Sequence, residues 1–209
     1  MKTIKIISLV FALLIAFSAC GTNPADNTTE IDAPDTTVAS SSSRTKVKFT
    51  MENGGSFVME LYPEYAPDTC DNFTKLVSSG FYDGLTFHRV VDGFMAQGGD
   101  ATGTEKENDA QPIPGEFASN GFSANTLSHE RGVVSMARTN DPNSASSQFF
   151  ICYDDSCKAL DGSYAAFAKV IEGMETVDDF CNVERVYNSM GELAAPKEPL
   201  RIAKAEVVF

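Results

Sequence analysis

Tryptophan is absent from this sequence, and histidine occurs only twice, at His88 and His129. Neither histidine has a motif-placed serine, cysteine or metal-ligand partner, so a hydrolase built on a nucleophile and its base finds no support. Asp154 and Asp155 lack the spacing of a metal loop and read as a solvated turn. Basic residues are scarce: 16 Lys and Arg stand against 29 Asp and Glu, a net charge of −13. Nucleic acid, whose phosphates demand a basic face, is thereby excluded as a partner. No internal repeat is present, which removes solenoids and propellers. The aromatic content rests instead on 15 Phe, the makings of a phenylalanine-packed core. The 209-residue length suits one domain or two small ones.

Three regions differ in texture. Residues 1–20 carry Lys2 and Lys5, then an almost wholly apolar run from Ile6 to Phe17. Those twelve residues are too few for a bilayer-spanning helix, which needs about 20, and suit the apolar part of a secretory signal. Phe17-Ser18-Ala19-Cys20-Gly21 then resembles a bacterial lipoprotein processing site, which implies lipid on Cys20 as the new N-terminus; the alternative is plain secretion with cleavage nearby. Residues 21–45 form a linker: ten of the 25 are Ser or Thr, with acidic residues among them, too few apolar side chains to offset the entropy of ordering. A tether between an anchor and a folded domain has this composition.

Residues 46–209 are the expected folded domain. Val47, Phe49 and Met51 alternate with polar neighbours, Asn53-Gly54-Gly55 signals a turn, and Phe57, Met59 and Leu61 resume the alternation, which predicts a β-hairpin. A helix is predicted from Pro67 to Val77, with Ala66, Cys70, Phe73 and Val77 on its apolar face. Short apolar runs at 86–91, 132–137, 148–152, 164–171 and 201–209 read as further strands, and Met174 to about Asn182 as a second helix. Glu105 to Pro114 reads as a polar surface loop. Many short strands with only two helices suggest a closed antiparallel barrel.

Three segments carry the chemistry: Phe87-His88-Arg89-Val90-Val91-Asp92-Gly93-Phe94-Met95-Ala96-Gln97-Gly98-Gly99-Asp100; Ser135-Met136-Ala137-Arg138; and Ser147-Gln148-Phe149-Phe150-Ile151 followed by Leu160-Asp161-Gly162. In order and spacing they resemble the cyclophilin family of peptidyl-prolyl cis/trans isomerases, over about Val47 to Phe209. The resemblance implies a mainly β fold, an eight-stranded antiparallel barrel capped by two helices, with a peptide groove on its outer face. It implies rotation about an X-Pro bond in proline-containing chains, with no cofactor and no metal. It places catalysis on Arg89, with Phe94 and Gln97, and the proline slot on Phe94, Met95, Phe150 and Leu160. Gln97 and Gln148 would hold the peptide backbone and support the arginine. Ala137 and Arg138 would pair with an extended substrate through main-chain bonds.

The residue types agree with that assignment. Amide rotation is opposed by C–N resonance, and a fixed cation donating to the prolyl nitrogen weakens it. Arg suits the role, being always charged with a rigid fork of donors. Three positions and one stretch depart from better-known members: Tyr164 replaces a pocket-rim His, Ala159 a Trp, Arg138 an Asn, and Glu105-Lys106-Glu107-Asn108 a Gly-rich stretch. The Tyr164 hydroxyl can still donate to a substrate carbonyl. A peptide-binding module with little turnover is the alternative function. The site expected is on the outer face of a bacterial cell membrane, lipid-anchored, in a monomer that assists exported proteins.

The exported setting permits a disulfide. Cys70 is expected as a buried free thiol. Cys157, in the polar run Tyr153-Asp154-Asp155-Ser156, is expected to be exposed and hence to join any bridge. Cys152 and Cys181 are the candidate partners, Cys181 slightly favoured, and four reduced thiols remain the alternative.

Overall fold

The computed structural model describes residues 44–209. The expected leader, Cys20 and nearly all of the expected linker lie outside the described residues. Among the described residues no helix is long and apolar enough to cross a membrane.

The hairpin forms as its alternation requires. β1 (Lys46–Met51) and β2 (Ser56–Leu61) each bury every second residue, and Phe49 pairs with Phe57 across the ladder. Gly54 takes the turn at φ +89°, a left-handed conformation open to glycine. The order then runs α1 (Pro67–Ser78), β3 (Thr86–Val91), β4 (Met95–Gly98), β5 (Val133–Met136), β6 (Phe149–Cys152), β7 (Ala166–Glu172), α2 (Met174–Asp178), β8 (Arg185–Tyr187), β9 (Leu193–Pro196) and β10 (Leu200–Val208). Eight strands close an antiparallel barrel in the order β1-β10-β3-β4-β6-β5-β7-β2. The predicted second helix is α2 tightened into a 3-10 turn over Asp179–Asn182. The fold is the mainly β, closed barrel the sequence led one to expect. It adds a small β8–β9 hairpin outside the barrel, which carried no usable periodicity.

Phenylalanine fills the interior. Phe49 stacks on Phe57 at 5.1 Å, and Phe73 of α1 inserts against Phe149 and Phe167 at 5.5 and 4.9 Å. Such pairs add about 0.5–1.5 kcal/mol each beyond area burial. Tyr82 is fully buried, and its hydroxyl donates to the Ser147 carbonyl at 2.9 Å.

Helix α1 starts without a capping side chain of its own, since Ala66 stands at the N-cap. Its open donors are met from a distant segment. The Glu116 carboxylate accepts from the Asp68 amide at 3.0 Å, the Thr69 amide at 2.8 Å and the Thr69 hydroxyl at 2.7 Å. At the other end Lys106, from the exposed loop after Gly103, donates to the carbonyls of Gly80, Phe81 and Asp83. That loop is exposed as expected, and its lysine staples the turn that follows α1.

Candidate active site

The pocket is built on the β3–β4–β6 wall. Adjacent strands put Arg89, Gln97 and Phe150 in register: Arg89 pairs with Gln97, and Gln97 with Phe150. Gly99 makes room behind them. Its φ is +82°, and a Cβ there would stand 2.8 Å from the Ser147 carbonyl. A side chain at that point would drive the two strands apart.

A cavity of about 200 Å³ is lined by Arg89, Phe94, Met95, Gln97, Ala137, Arg138, Phe150 and Tyr164. It lies below the roughly 300–1,000 Å³ of pockets for drug-sized ligands, so it suits a single side chain. A neighbouring depression of about 210 Å³ shares Gln97, Ala137 and Arg138 and continues past Gln148 and Thr139. Together they make an outer groove. The structure thus brings nine of the ten expected non-lipidated site residues to one groove. Leu160 stands just behind it, packed against the buried cluster of Met95, Phe150, Cys152 and Cys157.

Polar groups run along the mouth. Arg89 Nη1 donates to Gln97 Oε1 at 3.4 Å and faces Met95 Sδ at 3.8 Å; Gln97 Nε2 donates to Gln148 Oε1 at 2.9 Å. On its other edge Arg89 meets Glu192 of the β8–β9 hairpin, a residue that no motif or periodicity singled out. Nε donates to Oε2 at 2.6 Å and Nη2 to Oε1 at 2.8 Å. The arginine beside it holds the Glu192 carboxyl below its usual range. Arg138 folds back on the protein: its guanidinium donates to the Ser163 and Thr139 carbonyls and lies 4.6 Å over the Tyr164 ring. Its side chain braces the pocket rim.

Beneath Phe150 lies an arrangement that imitates a hydrolase triad. His129 stacks on Phe150 with ring centroids 6.0 Å apart. His129 Nδ1 meets Asp161 at 2.8 Å and Nε2 meets the Ser135 hydroxyl at 3.0 Å. Asp161 fixes the proton on Nδ1, so Nε2 accepts from Ser135. Burial lowers the His129 pKa and keeps the ring neutral. Ser135 is 0% exposed, so no substrate reaches its oxygen. These three residues support Phe150 from below. Ser135 and Asp161 fall within the three quoted segments, but no spacing in the sequence joined them to His129.

One expectation is corrected. Cys157 is not exposed; it is 0% accessible. The Asp154 carboxylate accepts from the Ser156 amide at 2.7 Å and starts a 3-10 turn over Asp155–Leu160. That turn shows Asp154, Asp155 and Ser156 to solvent and rolls Cys157 inward, its thiol 3.1 Å from the Phe94 carbonyl. Its sulfur neighbour is Cys152, whose thiol is pushed up by the hydrogen bond with Cys157 and by burial. Cys181, the favoured partner, sits instead with Tyr153 and Asp92. All four described cysteines are free thiols, and burial pushes Cys70 up to about 12.

Comparison with known proteins agrees with this geometry. Residues 46–207 match the family model described as cyclophilin type peptidyl-prolyl cis-trans isomerase/CLD. A peptidyl-prolyl cis-trans isomerase of Acinetobacter baylyi is 41% identical over 160 residues, covering 74% of this chain and 81% of that protein. Peptidyl-prolyl cis-trans isomerase B of Bacillus subtilis is 41% identical over 134 residues, 64% of this chain and 89% of that one. A crystal structure of a Cryptosporidium parvum cyclophilin type isomerase superposes with TM-score 0.66 at 30% identity, covering 79% of this chain and 98% of that one. The same Cryptosporidium protein, in the presence of the dipeptide Ala-Pro, superposes with TM-score 0.65 at 31% identity, over 78% of this chain and 99% of that one. A groove sized for one side chain, a guanidinium at its mouth and relatives of this one activity converge, and the chain belongs to the cyclophilin-type peptidyl-prolyl cis-trans isomerase family.

Proposed function

We propose that Arg89, Phe94 and Gln97 carry the isomerisation, and that Met95, Ala137, Arg138, Gln148, Phe150, Leu160 and Tyr164 hold the peptide around its proline. The observation that supports this reading is one juxtaposition: the Nη1 edge of Arg89 opens onto an apolar slot in which Met95 is 2% and Phe150 4% exposed. An X-Pro bond resists rotation by about 18–20 kcal/mol because the nitrogen lone pair conjugates with the carbonyl. Uncatalysed isomerisation takes about 10–100 s. In the twisted state the conjugation is lost and the lone pair localises on nitrogen. A guanidinium N–H aimed there binds the twisted state better than either planar end, which is the condition for acceleration. The slot holds the ring still, so the acyl side turns. Gln97 and Gln148 present amide groups to the flanking backbone. No bond is made or broken, and these steps call on no cofactor. That the Cryptosporidium isomerase was crystallised in the presence of Ala-Pro is in keeping with a prolyl ligand.

The clients proposed are exported chains, reached by an enzyme fixed through lipid on Cys20 to the outer face of a bacterial cell membrane. The support is the positive start at Lys2 and Lys5, the apolar run to Phe17, the small residues before Cys20 and the polar tether after it. A protease-coupled assay with a Xaa-Pro peptide tests the site. Arg89→Ala should lose most activity with the fold intact, and Arg89→Lys should fail too, since a point charge does not reproduce the fork. Near-normal turnover in either removes Arg89 from the mechanism. Cys20→Ser tests the anchor, and unchanged membrane fractionation and mature mass would refute it.

A further inference from the structure

Arginine has five N–H donors and a flexible stem, so which edge it presents must be decided by something. Here Glu192 decides it. Its carboxylate grips the Nε and Nη2 edge side-on, at 2.6 and 2.8 Å, which leaves Nη1 toward Gln97 and the pocket. Such two-point pairing fixes direction as well as distance.

Glu192 is itself held. Asn188 Nδ2 donates to its Oε2 at 3.2 Å, and Asn188 Oδ1 accepts from its backbone amide at 2.9 Å. Asn188 N also donates to the Glu192 carbonyl at 2.9 Å. The hairpin beneath is pinned without Glu192. Arg185 pairs with Asp92 in the β3–β4 turn, through both nitrogens of its fork, and Lys197 with Glu184. Anchoring the hairpin therefore does not need the Glu192 carboxylate. The ion pair is also partly open to solvent, 23% and 34% exposed at its two side chains. Solvent screens what it can add to stability.

We propose that Glu192 is a positioning residue for the isomerisation: it selects the Arg89 orientation that points Nη1 at the prolyl nitrogen. This rests on Arg89 acting as the cation of the reaction.

Glu192→Ala, Glu192→Gln and Glu192→Asp, with Arg89→Ala beside them, test it in the full chain. The readouts are kcat and KM for a Xaa-Pro peptide, the thermal midpoint, and the Arg89 side-chain Nε–H signal by 15N NMR. Misplacing a catalytic group by about 1 Å can cost on the order of a hundredfold. Glu192→Ala should lose about tenfold or more in kcat, with KM and thermal midpoint near the parent and the Nε–H signal broadened. Glu192→Asp should recover part of both kcat and the signal, and Glu192→Gln should fall between. Unchanged or raised kcat in Glu192→Ala, or a loss confined to KM, overturns the proposal. So does a parallel fall in thermal midpoint and kcat that Glu192→Asp does not relieve. If Arg89→Ala keeps full activity, the catalytic reading itself has failed; if it is inactive while Glu192→Ala is not, only the positioning role has.

Discussion

Removing the Glu116 carboxylate should cost this domain more than any ordinary cap deletion. The carboxylate is 3% exposed and satisfies three donors at the start of α1, two of them on Thr69, which is 0% exposed. An exposed N-cap deletion costs about 0.5–2 kcal/mol. Here Glu116→Ala also strands buried donors, each unsatisfied group worth roughly 1–3 kcal/mol. Some of this is offset, because an ionised carboxylate no longer has to leave water. The expected net loss is about 2–4 kcal/mol. For a domain of this size 1 kcal/mol moves the thermal midpoint by about 2–4 °C, so a fall of roughly 5–15 °C is expected. Glu116→Gln, which keeps acceptor oxygen and volume but loses charge, should lose about half as much. Urea unfolding followed by circular dichroism gives the free energies. Activity of the folded fraction at 25 °C should stay near that of the parent. A loss below about 0.5 kcal/mol for Glu116→Ala would refute the reasoning, because it would mean the donors find other partners at no cost.

Acid should weaken the fold before the carboxylates titrate. Burial lowers the pKa of both His88 and His129 from 6.5. The unfolded chain then binds more protons just below 6.5, so stability present above that pH is lost as pH falls toward the folded-state values; a flat unfolding free energy between about pH 6.5 and 5 would contradict this. Cys157 should alkylate far more slowly in the native state than in urea, and labelling at equal rates would return it to the surface. Ala159 is exposed and offers neither the area nor the N–H of a tryptophan. Ala159→Trp should therefore tighten inhibition by cyclosporin-type cyclic peptides, and no gain would count against that account.

Legibility followed the range of the forces involved. The β1–β2 hairpin could be read because alternation and turn chemistry are local: Phe49, Phe57 and Gly54 declare themselves within ten residues of one another. Helix α1 was found from Pro67, Asp68 and its apolar stripe, but its true cap comes from Glu116, 48 positions from Asp68, which no local pattern encodes. The expected groove residues other than Tyr164 stand in three short segments, which made them legible as a set. Glu192 was not, because its link to Arg89 spans 103 positions and its hairpin hides no face that would leave a periodicity. Cys157 was misjudged for a related reason. Polar neighbours in sequence do not imply exposure here, because in a 3-10 turn every third residue shares a face, and Cys157 and Leu160 share the one that packs inward.

The closure of the barrel carries a practical consequence. Lys46 pairs with Val208, so the chain enters and leaves the barrel side by side. Counting around the ring, β1 stands four strands from β6, the strand that supplies Phe150. A bead or fluorophore joined at Lys46 would start from a strand four places around the ring from the one that supplies Phe150, while β10 lies next to β3 and Arg89. Of the barrel's strands, β1 is therefore the better handle for immobilisation.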